Sequence, residues 1–364
     1  MTNVELSPVL PHLDAHTLLA QFSDAYCAAL AQTDCRLYTY RIAGYTVRLA
    51  FAGATLVPLL TPALAHLACP HERIPDLTLY LWDGTSTGVE PPRPWSRQEI
   101  ELRGEVPTYS NEEILTAIQT DVNAVSIFDR RRAVGFYWID SPDSLRAYEQ
   151  AAPLKVLLHW WLRERGLTMI HAGAIGNAEG AVLIVGKTGA GKSTTTLTCL
   201  NAGLHYLADD RCLLGLDPIP QAYCVYNSAK LHLAQMERFP TLLAQVNNLA
   251  ATATEKALIY LHQLAPQPIA LCLPIRAILL AKVAGTAATT LAPVSRMALL
   301  REFVTSTLVY QPGAAQAEVH MMSELVRRVP CYQLNLGSDL AGIPPVISHA
   351  LQKAAAGLGL SEGR

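Results

Sequence analysis

The feature that most constrains this chain is a glycine-rich segment at residues 186–194, set between an apolar run and a helix-like stretch. It fits G-x-x-x-x-G-K-[ST], the P-loop or Walker A motif, and consists of Gly186, Lys187, Thr188, Gly189, Ala190, Gly191, Lys192, Ser193 and Thr194. The preceding run Ala181–Val185 predicts a buried strand. The following stretch Thr194–Ala202 predicts a helix, and Gly203 is suited to follow its end. The sequence therefore predicts an α/β unit built around a strand, this loop and a helix.

The composition of the motif fits the binding of a polyphosphate. Glycines let the backbone wrap around phosphates with its N–H groups pointing inward, and the helix N-terminus adds partial positive charge. In this pattern Lys192 reaches the β- and γ-phosphates, and the Ser193 hydroxyl holds Mg²⁺. A glycine-rich turn without a ligand is the alternative, but both flanks of the motif are present. We therefore expect the protein to bind a nucleoside triphosphate.

Length and charge limit the other classes to which the chain can belong. At 364 residues it is longer than one average domain, and 51% of its residues are hydrophobic, which allows two sizeable cores. A net charge of −2 gives no electrostatic footprint for nucleic acid. Proline or charge interrupts the apolar stretches Leu56–Leu67 and Ile269–Val283, so we expect no membrane span.

Cysteine usage and the amino-terminal segment indicate the cellular compartment. The eight cysteines lie far apart, with no C-x-x-C pair and no zinc spacing, which is typical of buried thiols in a reducing cytoplasm. Residues 1–5 show neither the basic nor the apolar region of a signal peptide. We therefore expect a cytoplasmic protein.

Two domains are predicted, 1–142 and 143–364. The first is a smaller α+β domain whose strands lie in Leu37–Phe51, Leu77–Trp82 and a hairpin within Val122–Ile139. We interpret these strands as an antiparallel sheet. The domain carries no recognisable catalytic motif, so by elimination it is the candidate for recognising an acceptor.

The second domain contains the P-loop. Leu145–Glu164 predicts one helix, and Pro345–Ala356 predicts a closing helix with proline in its first turn. Leu167–Ile175 and Ala181–Val185 predict two strands. The loop between them is too short for a crossover helix, so the two strands must be antiparallel.

This predicted hairpin places a histidine near the phosphate loop. If Gly176 pairs with Gly180, His171 lies opposite Val185, at the entrance of the P-loop. An error of one or two residues in register still leaves the histidine close to the phosphates. A core histidine in a strand is the alternative. We expect a functional role because of the predicted position.

Two adjacent carboxylates follow the next predicted strand, Tyr206–Ala208. A strand–helix–strand unit brings both strand ends to the same edge of the sheet, so Asp209 and Asp210 should lie beside the P-loop. Such a pair suits Mg²⁺ binding and removal of a proton from an attacking hydroxyl. Asp209 follows Lys192 by only 17 residues, closer than the acidic strand of ABC ATPases. A solvated acidic strand end is the alternative.

These segments together resemble a known group of proteins. Met169–Ile175, the P-loop and Leu207–Asp210 look like the core of the HPr kinase/phosphorylase superfamily, and most closely the bacterial HPr-kinase-like serine kinases. The match covers about residues 150–230, with a weaker likeness at Pro312–Ala314. No L-S-G-G-Q, N-K-x-D, H-R-D or D-F-G motif supports another class of nucleotide-binding protein.

The resemblance implies a phosphoenolpyruvate-carboxykinase-like fold, with ATP phosphates bound by the P-loop. It also implies that Ser193 and Asp210 serve Mg²⁺, and that Asp209 is the general base for the acceptor hydroxyl, with His171 beside it. The assignment of Asp209 and Asp210 to the site is firmer than the division of roles between these two aspartates. ATP in preference to GTP is likewise implied by the resemblance, because no base-reading motif is present.

The chain departs from the family after the Asp pair. Tyr223–Leu231 stands where true HPr kinase/phosphorylases carry an E-I-R-G-x-G-like signature, so neither HPr as acceptor nor the reverse reaction nor a hexamer is predicted. Lys230 and Lys256 can neutralise phosphate charge, although solvated surface lysines are the simpler interpretation. Arg276 and Arg296 are further candidates for the arginine that stabilises a transferred phosphoryl group.

Three functions remain open from the sequence. The first is an ATP- and Mg²⁺-dependent kinase acting on a hydroxyl, most readily serine in a peptide or protein. The second is a kinase of a small molecule such as an amino acid, for which the acceptor pocket should be small and closed. The third is a non-catalytic ATP-dependent switch or scaffold, and the intact set Lys192, Ser193, Asp209, Asp210 and His171 argues against it. The sequence does not indicate the oligomeric state.

Overall fold

A computed structural model describes residues 14–70, 74–264, 269–309, 312–313 and 316–358. These residues form a mixed α/β structure with a six-stranded sheet, a nine-stranded sheet and a separate two-stranded ladder. No helix within them is both long enough and apolar enough to cross a membrane. Two features of the sequence analysis lie outside the described residues. They are residues 1–5, which show no signal-peptide pattern, and Ala314, which belongs to the family resemblance.

The secondary structure elements follow in chain order. Up to residue 163 they are α1 (Ala15–Gln32), β1 (Cys35–Ile42), β2 (Tyr45–Ala52), α2 (Val57–Leu60), β3 (Leu77–Asp83), α3 (Gly84–Thr87), β4 (Ile114–Gln119), β5 (Ala124–Asp129), β6 (Val134–Ile139), α4 (Ala147–Ala151) and α5 (Lys155–Arg163). Beyond it they are β7 (Leu167–His171), β8 (Gly173–Asn177), β9 (Gly180–Val185), α6 (Lys192–Asn201), β10 (His205–Ala208), β11 (Arg211–Gly215), β12 (Gln221–Tyr223), β13 (Ser228–Leu231), α7 (Leu233–Met236), α8 (Pro240–Leu243), β14 (Ala257–Tyr260), β15 (Cys272–Val283), β16 (Thr290–Pro293), α9 (Arg296–Leu308), α10 (Gln316–Arg328), β17 (Cys331–Leu336) and α11 (Ile343–Leu358).

The first sheet has the order β1-β2-β3-β6-β5-β4. The predicted strand pair β1–β2 and the hairpin β5–β6 are confirmed as antiparallel. The prediction of an antiparallel sheet is wrong, because β3 runs parallel to both β2 and β6. The connections before and after β3 are long enough to return the chain to the same end of the sheet, which allows parallel pairing. The strand β4 was not predicted.

The stretch predicted as one helix, Leu145–Glu164, is two helices. The helix α4 ends at Ala151, and α5 begins at Lys155. Pro153 lies between them, and proline disfavours the helical conformation of the residue before it. Ala152 accordingly has φ −138° and ψ 66°, outside the helical region.

The stretch predicted as one strand, Leu167–Ile175, is also divided. The strand β7 pairs with β11, whereas β8 pairs with β9 on one side and β10 on the other. The predicted antiparallel hairpin β8–β9 is confirmed, but its register differs by one residue, because Asn177 lies opposite Gly180. His171 therefore ends a separate strand and does not lie opposite Val185.

The second sheet carries the P-loop at one edge. Its main order is β10-β8-β9-β15-β12-β11-β7, with β17 on β15 and β16 on β17. Both β9 and β10 are antiparallel to β8 between them, so they run in the same direction and end at the same edge, as predicted. The helix α6 follows the P-loop, and the predicted closing helix is confirmed within α11, which packs on α6, β9 and β15.

A hydrophobic cluster joins the two sheets. It contains Phe51 and Leu79 of the first sheet, Trp161 of α5, and Met169 and Leu213 of the second sheet. The helix α5 packs against β5 as well as β7, so it belongs to the cores on both sides. The division at residues 142 and 143 remains a prediction, and burial along this shared face fixes one sheet relative to the other.

Candidate active site

Four chain segments meet at the edge where β9 and β10 end. His171 closes β7, the P-loop follows β9, Asp209 and Asp210 follow β10, and Arg211 opens β11. The pairing of β11 with β7 places Arg211 opposite His171. The sheet topology thus brings the sequence-predicted residues together, although they are distributed over about 40 positions of the chain.

The P-loop has the backbone conformation for which its glycines are needed. Gly186, Gly189 and Gly191 have φ of 142°, 84° and 96°, a region that strains any residue with a side chain. A Cβ atom on Gly191 would lie 2.5 Å from Leu336 Cδ1, so the strand β17 also approaches too closely for a side chain. The helix α6 begins directly after Gly191. Its first N–H groups are therefore directed at the space inside the loop.

Lys192 is buried against the loop it belongs to. Its Nζ atom donates hydrogen bonds to the carbonyl oxygens of Gly186 at 2.6 Å and Lys187 at 3.2 Å. Burial lowers the pKa of Lys192, while the carboxylates of Asp210 and Asp209 act in the opposite direction. A buried ammonium needs acceptors, and loop carbonyls supply them here. A bound phosphate would offer this ammonium a fully charged acceptor in the same place.

Asp209 is the inner member of the carboxylate pair and is only 2% exposed. Its oxygens accept hydrogen bonds from Thr196 Oγ1 at 3.2 Å and from the backbone N–H of Lys230 at 3.0 Å. Burial raises the pKa of Asp209, and hydrogen bonds from Lys230 N–H and the Ser193 hydroxyl counteract part of that rise. Ser193 therefore lies with Asp209, inside the site.

Asp210 is the outer member, with a third of its side chain exposed. One carboxylate oxygen lies 2.9 Å from His171 Nε2, and the other lies 3.1 Å from Lys230 Nζ. Burial acts to raise the pKa of Asp210, but Lys230, the hydrogen bond from His171 and the charge of Arg211 outweigh it and hold the pKa well below its usual value. Asp210 is thus held as a carboxylate.

His171 links Asp210 to helix α9. Its Nδ1 atom lies 3.1 Å from the carbonyl oxygen of Ser306, and its backbone N–H donates to Thr307 Oγ1 at 3.2 Å. A carbonyl oxygen only accepts, so Nδ1 carries the proton of that hydrogen bond. The histidine is therefore oriented by α9 on one side and by the carboxylate of the outer aspartate on the other.

A cavity of about 1030 Å³ opens in front of this pair. Its inner wall contains His171, Asp210 and Lys230. Of the P-loop only Thr188 reaches the lining. The outer walls come from the first sheet and its loops, residues 97–104 and 118–121, and from residues 146–156 around α4. The cavity is therefore a separate space in front of the phosphate loop, bounded by both halves of the chain.

The basic residues proposed from sequence divide into two groups. Lys230 is not a solvated lysine as the simpler interpretation had it, because its side chain is only 12% exposed and pairs with Asp210. Lys256 lines the cavity. Arg276 donates instead to the carbonyl oxygen of Glu179, at the opposite end of β9. Arg296 opens α9, about 15 Å along the helix from Ser306.

Sequence reasoning missed Arg211. It lines the cavity beside Asp210, and its charge helps to lower the pKa of that carboxyl. The signal was available, because Arg211 directly follows the Asp pair in the sequence. What the sequence could not show is that β11 turns back to pair with β7, which places this arginine opposite His171.

The residues present fit a magnesium ion bound together with phosphates. In the part of the chain that the structure describes, no three His, Cys, Asp or Glu side chains are grouped to hold a metal by themselves. Mg²⁺ usually takes one or two carboxylates and completes its shell with water and substrate phosphate oxygens. The hydroxyl of Ser193 and the carboxylate of Asp209, in contact beside the P-loop, supply protein oxygens of that kind.

Comparisons with known proteins identify no family for this chain. No family model matches the sequence, and no curated protein matches it. Among solved structures the chain is similar to the HPr(Ser) kinase/phosphatase from Coxiella burnetii, at 10% identity and a TM-score of 0.31. The similarity covers 54% of this chain and 99% of that one. A likeness at this level establishes neither a shared fold nor a shared activity.

Proposed function

We propose that this protein is a Mg²⁺-dependent kinase that transfers the γ-phosphate of ATP to a hydroxyl group, with serine in a peptide or protein as the acceptor. The observation that carries the proposal is the meeting of the P-loop, the Asp pair and His171 at one edge of the sheet, where His171 and Asp210 line a cavity. The division into an acceptor-binding part (1–142) and a catalytic part (143–364), and a cytoplasmic location, belong to the same proposal.

The P-loop is the proposed seat of the ATP phosphates. The backbone N–H groups of residues 186–194 surround them, and Lys192 exchanges its loop carbonyls for phosphate oxygens. The choice of ATP over GTP rests on the family resemblance, because none of the contacts described above reads a base. This arrangement supplies positioning and positive charge, which are the main contributions to phosphoryl transfer.

Asp209 and Ser193 are the proposed protein contacts for Mg²⁺. When bound, the ion neutralises charge on the phosphate oxygens and helps to orient them. Asp209 is the better placed of the two carboxylates, since it is buried and accepts a hydrogen bond from Ser193. Thr196 and the backbone N–H of Lys230 fix its orientation.

Asp210 is the proposed acceptor for the proton of the substrate hydroxyl. It faces the cavity, whereas Asp209 does not line it. His171 and Lys230 hold its two oxygens, so that a lone pair remains directed at an entering hydroxyl. This assignment reverses the division predicted from sequence, in which Asp209 was the base and Asp210 served the metal.

The proposed step is an in-line transfer. The acceptor oxygen forms a bond to the γ-phosphorus while the bond from that phosphorus to the bridging oxygen of ADP breaks. The hydroxyl proton passes to Asp210 and from there to solvent. Lys192 of the P-loop and Arg211 beside Asp210 would supply the positive charge that offsets the negative charge of the transferred group.

The shape of the cavity favours a peptide over a free amino acid. A volume of about 1030 Å³ is at the upper end of the range for small-ligand sites, and a single amino acid would fill little of it. The walls contributed by residues 97–104 and 118–121 would contact positions of the acceptor away from the serine. A small-molecule kinase would instead need a small, closed pocket.

The direct test is transfer of label from γ-labelled ATP. Purified protein with Mg²⁺ is incubated with serine peptides, with free serine, and with a cell lysate. We expect label on a peptide or protein. Label only on free serine or another metabolite would favour the small-molecule alternative. Tight ATP binding with slow hydrolysis and no transfer would contradict the kinase and favour a switch.

Three variants separate binding from transfer. Asp210→Asn should bind ATP normally and lower transfer by a factor of about 100 or more, the usual contribution of a positioned base. Lys192→Ala should lose ATP affinity. Lys353→Ala is its matched control, because Lys353 is an exposed lysine on α11, outside the P-loop, and should leave ATP affinity unchanged. Equal transfer by wild type and Asp210→Asn would contradict the role of that carboxylate.

A further inference from the structure

The cavity in front of the proposed site contains more positive than negative charge, although the whole chain has a net charge of −2. Five acidic side chains line it: Glu101, Asp121, Glu149, Asp210 and Glu255. Seven basic side chains line it: Arg97, Arg103, Arg146, Lys155, Arg211, Lys230 and Lys256. The positive charge is therefore a local property of this cavity.

Three of the seven basic side chains already have carboxylate partners. Arg146 pairs with Glu255 at 3.3 Å, Lys155 pairs with Glu149, and Lys230 pairs with Asp210 at 3.1 Å. Among the residues that the structure describes, the other four have no carboxylate within ion-pair distance, and they are Arg97, Arg103, Arg211 and Lys256. These four cations are available to an anionic ligand.

The four cations lie at two levels. Arg211 and Lys256 are near the inner wall, close enough to Lys192 for their charges to lower its pKa after the larger effect of burial. Arg97 and Arg103 are exposed on the outer wall, which belongs to the first half of the chain. The inner pair can neutralise negative charge near the transferred phosphoryl group. The outer pair stands on the first half of the chain, which we assign to the acceptor.

The outer level is anchored to the first sheet. The turn that carries Arg103 is closed by hydrogen bonds from Gly104 N–H to Glu101 O at 2.9 Å and from Glu101 N–H to Glu105 O at 2.8 Å. Ile118 N–H donates to Gly104 O at 2.8 Å, which ties the turn to β4. A cation held on an anchored turn loses less conformational entropy on binding than one on a free loop.

We propose that the acceptor is an acidic peptide segment, with Asp or Glu on the side of the serine that faces Arg97 and Arg103. The proposal rests on the kinase function proposed above. A free hydroxy acid would fill little of a cavity of about 1030 Å³, whereas a peptide is long enough to contact cations on both walls. Four unpaired cations also disfavour a basic peptide, because like charges in a shared cavity repel.

The test uses three synthetic peptide libraries, each with one serine and with flanking positions drawn from Asp and Glu, from Ala and Gly, or from Lys and Arg. With γ-labelled ATP and Mg²⁺, we expect transfer to the acidic library to exceed transfer to the neutral one by about tenfold, with the basic library lowest. Added KCl should reduce this preference in the wild type. Equal transfer to the acidic and neutral libraries would overturn the inference.

A charge-reversal variant tests whether Arg97 and Arg103 cause the preference for acidic peptides. The double variant Arg97→Glu, Arg103→Glu should lose about tenfold on the acidic library and little on the neutral one, with ATP binding unchanged. Arg41→Glu is the matched control, an exposed arginine on β1 at the far edge of the first sheet. A double variant that loses acidic and neutral peptides equally would contradict recognition by these arginines.

The outcomes separate this inference from the kinase proposal itself. Transfer to peptides without a charge preference contradicts only the acidic acceptor. Label on free serine with every peptide unlabelled contradicts the peptide but leaves a kinase. No label on any peptide, on free serine or on any component of a lysate contradicts the kinase, and with it the inference.

Discussion

Adjacent aspartates with the same chemistry are given different properties by their surroundings. Asp209 is buried, and that burial raises its pKa, whereas Asp210 is held ionised by Lys230, His171 and Arg211 despite its partial burial. In the protein without nucleotide, the charge on Asp209 therefore lowers the free energy of unfolding, and the charge on Asp210 raises it. The site retains an unfavourable buried carboxylate, which is explained if a cation binds there.

The two isosteric variants should accordingly differ in stability. Asp209→Asn removes a buried charge, and the Thr196 and Ser193 hydroxyls can rotate to suit the amide, so we expect no loss of unfolding free energy without Mg²⁺-ATP. Asp210→Asn removes the partner of Lys230 and should cost about 1–2 kcal/mol, less than a fully buried pair because Asp210 is partly exposed. Urea unfolding at neutral pH measures both. The reverse order of stabilities would contradict this account.

The site shows how far single residues can be placed from sequence alone. The sequence predicts His171 near the phosphates from a short hairpin, and the structure places it beside Asp210, at the end of a separate strand. This position does not depend on the hairpin, because β7 and β8 are consecutive and part only at Ala172. The positions of Arg211 and Lys230 depend on two long-range contacts: β11 pairs with β7, and the backbone N–H of Lys230 in β13 donates to Asp209. Contacts of that kind are set by long-range pairing, which a local pattern does not contain.

At the scale of elements, the segment from β9 through α6 to β10 was predictable because every step in it is local. An apolar run, glycines with left-handed φ and a C-terminal glycine each act within a few residues. The elements predicted wrongly are those whose structure depends on a particular residue or connection outside the hydrophobic pattern. Pro153 breaks the helix between α4 and α5, and β3 becomes parallel because the connecting chain is long enough to cross over.

The glycines at the two ends of α6 allow the effect of backbone strain to be compared with the effect of P-loop geometry. Gly191 precedes the helix with φ 96°, and Gly203 follows it with φ 89°. Alanine at either position adopts a strained backbone and should cost about 1–3 kcal/mol of unfolding free energy. Only Gly191 lies in the P-loop, the proposed phosphate site, where a Cβ atom would also lie 2.5 Å from Leu336.

We therefore expect Gly191→Ala to lower ATP affinity by at least about tenfold, because the loop must shift and its N–H groups lose their alignment. Gly203→Ala should leave ATP affinity within a factor of about two, since no atom lies near its added methyl group and it is remote from the phosphates. Calorimetric titration with ATP measures both affinities. Equal losses in the two variants would show that general destabilisation, not loop geometry, sets the affinity.

At the scale of the whole molecule, the two halves are joined by a polar network as well as by the shared hydrophobic cluster. Asn227 Nδ2 donates to the carbonyl oxygens of Pro62 and Ala63, both at 2.9 Å. His66 lies 3.2 Å from Cys224 Sγ through Nε2 and 3.1 Å from Asn227 Nδ2 through Nδ1. The network crosses from the first half of the chain to the second, so its protonation state bears on how the cavity walls are held together.

Burial, with a smaller contribution from the nearby His262, lowers the pKa of His66 from its usual 6.5 to about 4. Between pH 6.5 and 4 the unfolded chain binds a proton at His66 that the folded chain does not. The unfolding free energy should therefore fall as the pH falls through this window, with a contribution from His66 of about 3 kcal/mol once the pH is below 4. Well above pH 6.5 the histidine is neutral in both states and contributes no pH dependence.

His66→Gln isolates this contribution, since glutamine can hydrogen bond but does not titrate. The variant should lose less unfolding free energy than the wild type between pH 7 and 4, whatever its stability at pH 7. His320→Gln is the control, because that histidine lies on α10 with a side chain 69% exposed, and it should keep the wild-type pH dependence. Urea unfolding across this pH range gives the slopes. If His66→Gln and the wild type lose the same unfolding free energy between pH 7 and 4, His66 is not the group responsible for the loss of stability in acid.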